Sequence, residues 1–464
     1  MFQILTKPSR SAGVMVALLA FQSAGFSSPK PDVVLRSQFN GRDHQTYREL
    51  PFDVPAGVVR VTVNFSYTGR EELTVLDVGL WDNERFRGWS GGNKSSFTVS
   101  ATDATPSYLA GPVRPGRWHL LIGAPNIRRD SHAAFTAEVF FARAGDAPDV
   151  STFSATPLRS GPGWYRGDLH MHTAHSDGSC LSQSGQRVPC PLFKTVEAAA
   201  ARHLDFISIT DHNTTSHFAE LRELQPYFDR LLLIPGREIT MFQGHANVFG
   251  TVEFIDFRNG LANAHGLISI NHPESASGES CMGCGWTAPN TDFARIDAVE
   301  VVNGGKADGI PFWEAQLNRG VRWTAIGGSD NHDADRPASD PGSIGWPTTV
   351  VWADDLSERS ILNGIRSGKV FIDTEGTRDR LLEYSPLPGG TAISVHTVAV
   401  RHGTLEVIED GKPVSAFATS RIESDNDTRQ FSLADDGKRH WLRIAVRAAD
   451  GRLLLLGNPL YINW

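Results

Sequence analysis

Residues that bind metal ions in proteins recur between positions 167 and 333 of this 464-residue chain. The segment 167–178 reads GDLHMHTAHSDG, with His170 and His172 two residues apart and Asp177 a little further on. In an extended segment, side chains at positions i and i+2 point to the same face. Two imidazoles on one face, next to carboxylates, are a ligand set for a divalent metal ion. A His-x-His pair alone also fits a surface strand, so the later segments decide.

Further ligand-type residues stand at or near the ends of predicted strands. They are Asp211 and His212, Glu238, His245, His272, and Asp330 with His332. One more segment, 298–303, contributes only Glu300 and Asn303 and is the weakest member of the series. Burying so many titratable groups without counter-charge is costly, and metal ions are the simplest compensation. The sequence therefore predicts a site for more than one metal ion.

The elements that must position these residues are seven strands between residues 163 and 368, most of them separated by helix-length pieces. Helices are predicted at 193–203 and 216–227. After the opening segment 168–172, strands are predicted at 204–209, 231–234, 246–249, 266–270, 298–302 and 323–326. Repeated βα units imply parallel strands, here closed as a barrel. Barrel enzymes carry their chemistry at the carboxyl ends of the strands, which is where the ligand-type residues lie.

Both flanks of this region have the period-two alternation of half-buried strands, separated by Gly, Pro and Asn turns. We expect a β-sandwich on each side. The predicted organisation is a signal peptide at 1–28, a β-sandwich domain at 29–150, an α/β barrel domain with the metal-ligand residues at 160–370 and a C-terminal β-sandwich domain at 371–464.

Whole-chain properties restrict the protein class. The formal net charge of −8 argues against a dedicated nucleic-acid binder, which usually has a basic face. Lys7 and Arg10 precede an apolar segment at 13–26, a pattern typical of a secretory signal peptide. We therefore expect export to the periplasm or the medium, with no transmembrane anchor after signal removal. The sequence does not indicate an oligomeric state.

The four cysteines, Cys180, Cys190, Cys281 and Cys284, all lie within the histidine-bearing region. In a reducing cytosol they would suggest zinc, whereas in an oxidising compartment an even number suggests disulfides. The sequence alone does not choose among the possible pairings. Given the predicted export, we expect local disulfides, Cys180 with Cys190 and Cys281 with Cys284.

Six motifs in this region resemble one known family. GDLHMHTAHSDG, FISITDHN, IPGREIT, GHANVFG, ISINHPE and GGSDNH follow in the order found in the polymerase-and-histidinol-phosphatase (PHP) metallohydrolases, over roughly residues 164–372. The flanks resemble the exported, carbaryl-hydrolase-like branch of that family. The resemblance implies an α/β fold: a distorted (β/α)7 barrel with two or three divalent ions (Mn, Fe or Zn) at its mouth, flanked by N- and C-terminal β-sandwich domains.

Carried over residue by residue, the resemblance divides the metal ligands among three ions. The first ion takes His170, His172, Glu238 and Asp330; the second shares Glu238 and adds His245 and His272; the third takes Asp177, His212 and His332. Some relatives have histidine where this chain has Asp177, and His175 is a nearby substitute. Asp168 would orient an imidazole through its second nitrogen.

The implied chemistry is hydrolysis of a small-molecule ester by a hydroxide that bridges two ions. Glu238, Asp330 and His332 are the implied catalytic residues, and Arg237 and Lys306 are candidates for binding phosphate oxygens. A phosphate ester is the favoured substrate, and no nucleic-acid partner is expected. The same site suits a carbamate or carboxylic ester, since a metal-activated hydroxide also attacks carbonyl carbon. A non-catalytic metal-binding surface protein is a third reading, disfavoured because structural sites tend to have closed coordination.

Overall fold

The computed structural model describes residues 30–92, 94–143, 153–154, 156–279, 281–388, 392–414, 420–432 and 436–464. Within these residues the fold is mixed α/β and rich in strands. The predicted signal peptide at 1–28 lies outside them. No helix of the described part is long and apolar enough to cross a membrane.

The first eight strands form two four-stranded antiparallel sheets, with the orders β1-β8-β3-β6 and β2-β7-β4-β5. These strands are β1 (Val33–Asn40), β2 (Tyr47–Val54), β3 (Val58–Tyr67), β4 (Val75–Trp81), β5 (Phe86–Ser90), β6 (Ser96–Ser100), β7 (Gly116–Asn126) and β8 (His132–Arg143). Alternate residues such as Val61, Val63 and Phe65 of β3 are buried, and they share one core with Trp118 of the other sheet. The two sheets therefore pack as a sandwich.

The middle of the chain contains the four α-helices of the described part and most of its buried strands. The elements are β9 (Ser160–Asp168), β10 (Ser179–Leu181), β11 (Arg187–Pro189), α1 (Leu192–Ala201), β12 (Phe206–Ile209), α2 (Phe218–Leu224), β13 (Leu232–Met241), β14 (Gly244–Phe249), β15 (Leu267–Ile270), β16 (Ala298–Asn303), α3 (Ile310–Asn318), β17 (Thr324–Gly328), β18 (Thr348–Asp355), α4 (Glu358–Arg366) and β19 (Val370–Asp373). The strands β12, β15 and β17 are buried along their whole length, as expected for strands covered on both faces.

Seven strands occupy consecutive places in one sheet, in the order β17-β16-β15-β14-β13-β12-β9. Six of them lie where the sequence predicts a strand. The predicted opening strand at 168–172 is wrong, because β9 ends at Asp168 and the two histidines follow it. β9, β12 and β13 are parallel, and so are β15, β16 and β17. β14 is antiparallel to both of its neighbours. Only Phe242 and Gln243 connect β13 to β14, and so short a turn permits a hairpin but no crossover helix. The series is therefore not a uniform βα repeat, and a closed (β/α)7 barrel is not shown.

The first and last of these seven strands meet just beyond their carboxyl ends. Met171 and Asn331 form a single parallel bridge there. The Asp330 N–H donates to the His170 carbonyl and the His172 N–H donates to the Asn331 carbonyl, each over 2.9 Å. These bonds bring the two ligand-bearing segments of the sequence side by side.

The remaining strands are β20 (Leu381–Pro386), β21 (Ala392–Val398), β22 (Thr404–Glu409), β23 (Lys412–Pro413), β24 (Ser420–Arg421), β25 (Asn426–Ser432), β26 (His440–Arg447), β27 (Leu453–Gly457) and β28 (Leu460–Ile462). β20, β21 and β25 form a separate three-stranded sheet. β27 pairs with β19, so the main sheet continues through position 371 into the C-terminal strands and reaches 15 strands. The domain boundaries expected from the sequence stay predictions.

Candidate metal centre

The backbone at the carboxyl end of β9 is fixed by Asp168, which is fully buried. Its carboxylate accepts hydrogen bonds from the backbone N–H groups of His170, Ser329 and Gly345, at 3.2, 3.0 and 2.7 Å. Burial raises the pKa of Asp168 from its ordinary value, against the effect of these donors. Asp168 therefore joins the segments after β9 and β17 through backbone donors, instead of orienting an imidazole as the sequence suggests.

Every ligand-type residue that the sequence assigns to the three ions belongs to a compact group at this end of the sheet. Within each group the potential ligand atoms lie within 4.8 Å of one another. The groups are His170, His172 and Asp330; His170, Glu238 and His272; His172, Asp177, His212 and His332; and His245, His272 and Cys284. Cys284 is the one member that the sequence assigns to a disulfide only.

Glu238 lies at the centre of these groups and is 1% exposed. Its Oε1 lies 3.4 Å from Nε2 of His170, 3.3 Å from Nδ1 of His245 and 3.4 Å from Nε2 of His272. Its Oε2 lies 2.7 Å from Nδ1 of His212. Burial favours the neutral acid, but the surrounding histidines hold the pKa of Glu238 well below its ordinary value. This carboxylate is thus within reach of imidazoles on both of its oxygens.

Asp330 approaches the same centre from the segment after β17. Its Oδ1 lies 3.2 Å from Nε2 of both His170 and His172. The backbone of Asp330 is left-handed, with φ of 51°, and that of His272 is also left-handed, with φ of 26°. Non-glycine residues rarely adopt such conformations, and those that do cluster at functional sites.

Asp177, His212 and His332 form the more open side of the centre. Oδ1 of Asp177 lies 3.5 Å from Nε2 of His212 and 3.4 Å from Nε2 of His332. The side chains of Asp177 and His332 are 58% and 38% exposed. The hydrogen bond from His332 lowers the pKa of Asp177 to about 2. Burial acts to lower the pKa of His332, but Asp177 and Asp330 outweigh it and raise that pKa to about 9.

Second-nitrogen contacts orient the histidines around Glu238. His170 Nδ1 lies 3.0 Å from Oε1 of Glu300. His245 Nε2 and His272 Nδ1 lie 3.1 and 3.2 Å from the carbonyls of Met282 and Cys284. Such contacts fix the tautomer and direct the other nitrogen into the site. The sequence does not predict the two carbonyl contacts, because a backbone acceptor can belong to any residue type. Glu300 does stand out in the sequence, as the one charged residue of the apolar segment AVEVVN.

The residues present fit a group of divalent ions. His170 Nε2 and Glu238 Oε2 are buried and make no aligned hydrogen bond in the part of the chain that the structure describes. A buried polar atom without a hydrogen bond is costly unless another partner satisfies it. Burial lowers the pKa of His172 to about 4. Against the effect of burial, the neighbouring carboxylates raise the pKa of His170 well above its ordinary value and that of His272 to about 9, so a bound ion would take the place of these protons. Nitrogen and carboxylate donors of this kind suit Mn, Fe or Zn.

Arg237, one of the two candidate phosphate-binding residues, is not brought to the centre. Successive residues of a strand face opposite sides, so the alternation that directs Glu238 inward directs Arg237 outward. Its guanidinium donates to the Thr251 carbonyl over 2.8 Å and lies 5.0 Å from the ring centre of Phe218 in α2. Burial lowers the pKa of Arg237 to about 10. Arg237 therefore packs behind the sheet.

Lys306 and His175 also lie outside the four groups. Lys306 is exposed in the turn after β16, where its backbone pairs with Asn303. His175 contacts Oγ of Ser216 at 2.7 Å and Oε2 of Glu220 at 3.2 Å. Asp177, and not His175, joins the group of His172, His212 and His332.

Both disulfides are local, Cys180 with Cys190 and Cys281 with Cys284. The Cys190 N–H donates to the Gly178 carbonyl over 2.9 Å, and the Ala174 N–H donates to the Cys190 carbonyl over 2.8 Å. These bonds connect the first disulfide to the turn that carries Asp177. The second disulfide closes the loop whose carbonyls contact His245 and His272.

Comparison with known proteins gives little similarity. No protein-family model and no curated protein matches the chain. A crystal structure from Bacteroides vulgatus, of a two-domain protein containing a predicted PHP-like metal-dependent phosphoesterase, is 19% identical, with 68% of this chain and 99% of that chain covered and a TM-score of 0.38. A Glycosylation Associate Protein complex from Streptococcus agalactiae is 11% identical, with 43% and 70% covered and a TM-score of 0.16. Both scores are too low to support an assignment, so the site stands on its own geometry.

Proposed function

We propose that the protein is a metal-dependent hydrolase that cleaves a phosphate ester, built on the distorted (β/α)7 barrel that the sequence predicts. The surroundings of Glu238 carry the proposal. One buried carboxylate has imidazoles of His170, His245 and His272 near one oxygen and of His212 near the other. A carboxylate in this position can bridge two ions, as the resemblance to the PHP metallohydrolases implies. Two adjacent ions are a recurrent device for ester hydrolysis.

The chain would hold the ions through its own nitrogen and oxygen donors. His170, His172 and Asp330 would hold one ion, His245 and His272 a second, with Glu238 shared between them. Asp177, His212 and His332 would hold a third. Bound divalent ions would supply Lewis-acid activation of water and of the ester. This set of donors suits Mn, Fe and Zn alike.

The protein residues would set the geometry around those ions. Glu300 and the two loop carbonyls would keep the imidazoles of His170, His245 and His272 turned toward the centre. The exposed fractions of Asp177 and His332 make their side the entrance for substrate. Buried His170, His172 and Glu238 would exclude bulk water from the opposite side, which strengthens electrostatic stabilisation of a developing negative charge.

An aryl carbamate or aryl carboxylic ester is the alternative substrate, and one observation favours an aromatic group. Phe242, in the turn between β13 and β14, is 97% exposed, and Met282, whose carbonyl contacts His245, is 74% exposed. Exposed apolar side chains beside a polar site supply contact area for an apolar leaving group. This alternative agrees with the resemblance of the flanks to the carbaryl-hydrolase-like branch.

A substrate panel tests the proposal and separates these alternatives. We would remove metal from the full chain with a chelator, restore Mn, Zn or Fe one at a time, and assay phosphomonoesters, phosphodiesters and aryl carbamates. We expect one of the three metals to restore turnover of a phosphate ester. Turnover of carbamates alone would support the alternative, whereas metal binding without any turnover would support a non-catalytic metal-binding protein.

Glu238→Gln tests the mechanism directly. The substitution removes the charge that two ions share while keeping the side-chain volume, so metal content should fall by more than one ion per chain. The hydrolysis rate should fall by at least ~10², the usual cost of losing one electrostatic stabiliser. Glu223→Gln, at an exposed position on α2, is the control. Wild-type metal content and turnover in Glu238→Gln would contradict the two-ion arrangement.

We also propose that the protein is exported. The apolar segment at 13–26 and the two local disulfides support this proposal. Free-thiol titration of denatured protein, isolated from its native compartment under thiol-blocking conditions, should find no reactive thiol. Two or more reactive thiols per chain would contradict the proposed export.

A further inference from the structure

The loop closed by Cys281 and Cys284 lies directly against the His245–His272 pair. One ring nitrogen of each histidine and the Sγ of Cys284 all lie within 4.8 Å of one another. His245 is 4% exposed, His272 is 3% exposed and Cys284 is fully buried. Two imidazoles and a thiolate at this spacing are a ligand set for zinc. In the disulfide form, however, the Sγ of Cys284 is bonded to Cys281.

The position of Cys284 does not depend on its disulfide alone. Its carbonyl lies 3.2 Å from Nδ1 of His272, so the backbone of Cys284 is already held at the site. Just after it, the Trp286 N–H donates to the Pro273 carbonyl over 2.9 Å and the Thr287 N–H donates to the Gln243 carbonyl over 2.7 Å. These bonds connect the loop to the segments that carry His245 and His272. They would persist after reduction and keep Sγ near both histidines.

We propose that reduction of Cys281–Cys284 converts the His245–His272 pair into a zinc site with Cys284 as its third protein ligand. The inference rests on the part of the proposed function in which His245 and His272 hold an ion. It adds a ligand set that exists only in the reduced protein. Since thiolates favour zinc over harder ions such as Mn²⁺, reduction would change which metal occupies this position.

A dithiol is the class of reductant that the step requires, and its electrons and protons balance. Cys281 is only half-buried, beside the exposed Met282, so a reductant thiolate reaches its Sγ first. Attack there sends the S–S bonding pair to Cys284 as a thiolate, which zinc binds. The second reductant thiol displaces Cys281 and closes the reductant's own disulfide. Of the two reductant protons, one protonates Cys281 and the other passes to solvent.

The other disulfide is not expected to take part. Cys180 and Cys190 are both fully buried. Among the described residues, neither belongs to a group of potential metal ligands, whereas Cys284 does. The two pairs therefore provide an internal contrast for the experiment.

Cobalt spectroscopy on the full chain tests the inference. Co²⁺ substitutes for zinc, and a thiolate ligand adds a sulfur-to-cobalt charge-transfer band that nitrogen and oxygen ligands do not give. Oxidised wild-type protein should bind Co²⁺ without this band. Protein reduced with dithiothreitol and then desalted without oxygen should gain it. Cys281→Ser should show the band without any reductant, because it frees Cys284 permanently, whereas Cys284→Ser should not show it in either state.

Zinc affinity provides a second measurement on the same variants. By chelator competition, Cys281→Ser should bind zinc at the His245–His272 pair at least ~10-fold more tightly than Cys284→Ser, the scale on which changes around metal ligands act. If reduced wild type and Cys281→Ser both bind Co²⁺ without the charge-transfer band, the inference is wrong and the proposed function is untouched. If oxidised wild type binds no Co²⁺ at all, both the inference and the proposed function are wrong.

Discussion

At the scale of single residues, Glu300 joins three parts of the metal centre. Its Oε1 lies 3.0 Å from Nδ1 of His170, and its Oε2 accepts from the His272 N–H at 3.1 Å and from Nδ2 of Asn303 at 3.0 Å. Asn303 also donates to Oδ2 of Asp330 over 3.3 Å. One buried carboxylate thus orients a ligand-type residue after β9, another after β15 and, through Asn303, a third after β17.

Glu300→Gln should weaken metal binding without removing a ligand. The amide keeps the volume of the carboxylate but leaves Nδ1 of His170 without a charged acceptor, so metal affinity should fall about 10–100-fold. The number of ions bound at saturation should stay at the wild-type value, in contrast to Glu238→Gln. Chelator competition and metal analysis measure the two quantities, with Glu223→Gln as control. A loss of stoichiometry would instead make Glu300 a direct ligand.

Glu358, at the start of α4, is 2% exposed, and its carboxylate makes no hydrogen bond within the described residues. Burial raises the pKa of Glu358 well above its ordinary value of 4.5, against the smaller opposing effect of Arg222. The folded state therefore binds this proton more tightly than the unfolded state. Its contribution to stability is present at acid pH and is lost as the pH rises from 4.5 through the raised pKa.

Glu358→Gln should remove this loss, because the amide does not titrate. Relative to wild type, the variant should gain unfolding free energy as the pH rises from 4.5 toward neutral, by roughly 1.4 kcal/mol for each pH unit between the two pKa values. Urea unfolding at several pH values measures the difference. Parallel stability curves for the two proteins would mean that Glu358 does not titrate in this window.

At the scale of elements, the short hairpin β10–β11 supports the turn that carries Asp177. The Cys180–Cys190 disulfide spans 10 residues and joins β10 to the residue just after β11. The Ser179 N–H donates to the His332 carbonyl over 2.8 Å, so the hairpin also contacts the backbone of a second ligand residue. The open side of the centre therefore depends on this hairpin.

Replacing both Cys180 and Cys190 with serine should destabilise the protein and affect the open side first. A crosslink closing a loop of this size contributes roughly 2–4 kcal/mol. The ion expected at Asp177, His212 and His332 should be lost before the ions around Glu238. Thermal unfolding and metal content per chain are the measurements. Equal loss of all ions would show that the centre behaves as one unit.

At the scale of the whole molecule, Asp103 connects the N-terminal sandwich to the middle of the chain. Its buried carboxylate lies 3.2 Å from Nη1 of Arg60 in β3 and accepts from Nε of Arg222 in α2 over 2.8 Å. Beside it, Thr102 donates to the Val252 carbonyl. A buried carboxylate that pairs an arginine of β3 with an arginine of α2 fixes the relative position of these two elements.

Asp103→Asn should destabilise the protein strongly, by about 3–5 kcal/mol, since it leaves two arginines without their buried counter-charge. Asp53→Asn is the matched control: its pair with Arg117 is 69% and 63% exposed, and solvent screens such a pair so that it contributes little to stability. Thermal unfolding of both variants gives the comparison. Metal content should stay unchanged in each, and similar melting temperatures would show that the contact is dispensable.

The sequence indicated which ligand-type residues lie close together better than it indicated their surroundings. Ligand-type side chains at strand ends are visible in the sequence, and all nine assigned to ions lie in the groups described. The direction of β14 was not visible, because a buried four-residue apolar segment reads alike in parallel and antiparallel sheets. Arg237 lies away from the centre, because neighbouring residues of a strand, such as Arg237 and Glu238, face opposite sides of the sheet. The expected barrel closure and domain boundaries depend on long-range pairing, which local patterns do not encode.

The pairing of β27 with β19 has a consequence for biosynthesis. Asn458, just after β27, binds the backbone of Ala325 in β17 through both amide atoms and also donates to the Val370 carbonyl in β19. A nascent chain therefore carries an incomplete main sheet until β27 has been translated. Such an unfinished sheet leaves β19 with unpaired backbone groups, which attract other strands. Late completion would therefore leave this edge of the sheet open until residues 453–458 emerge.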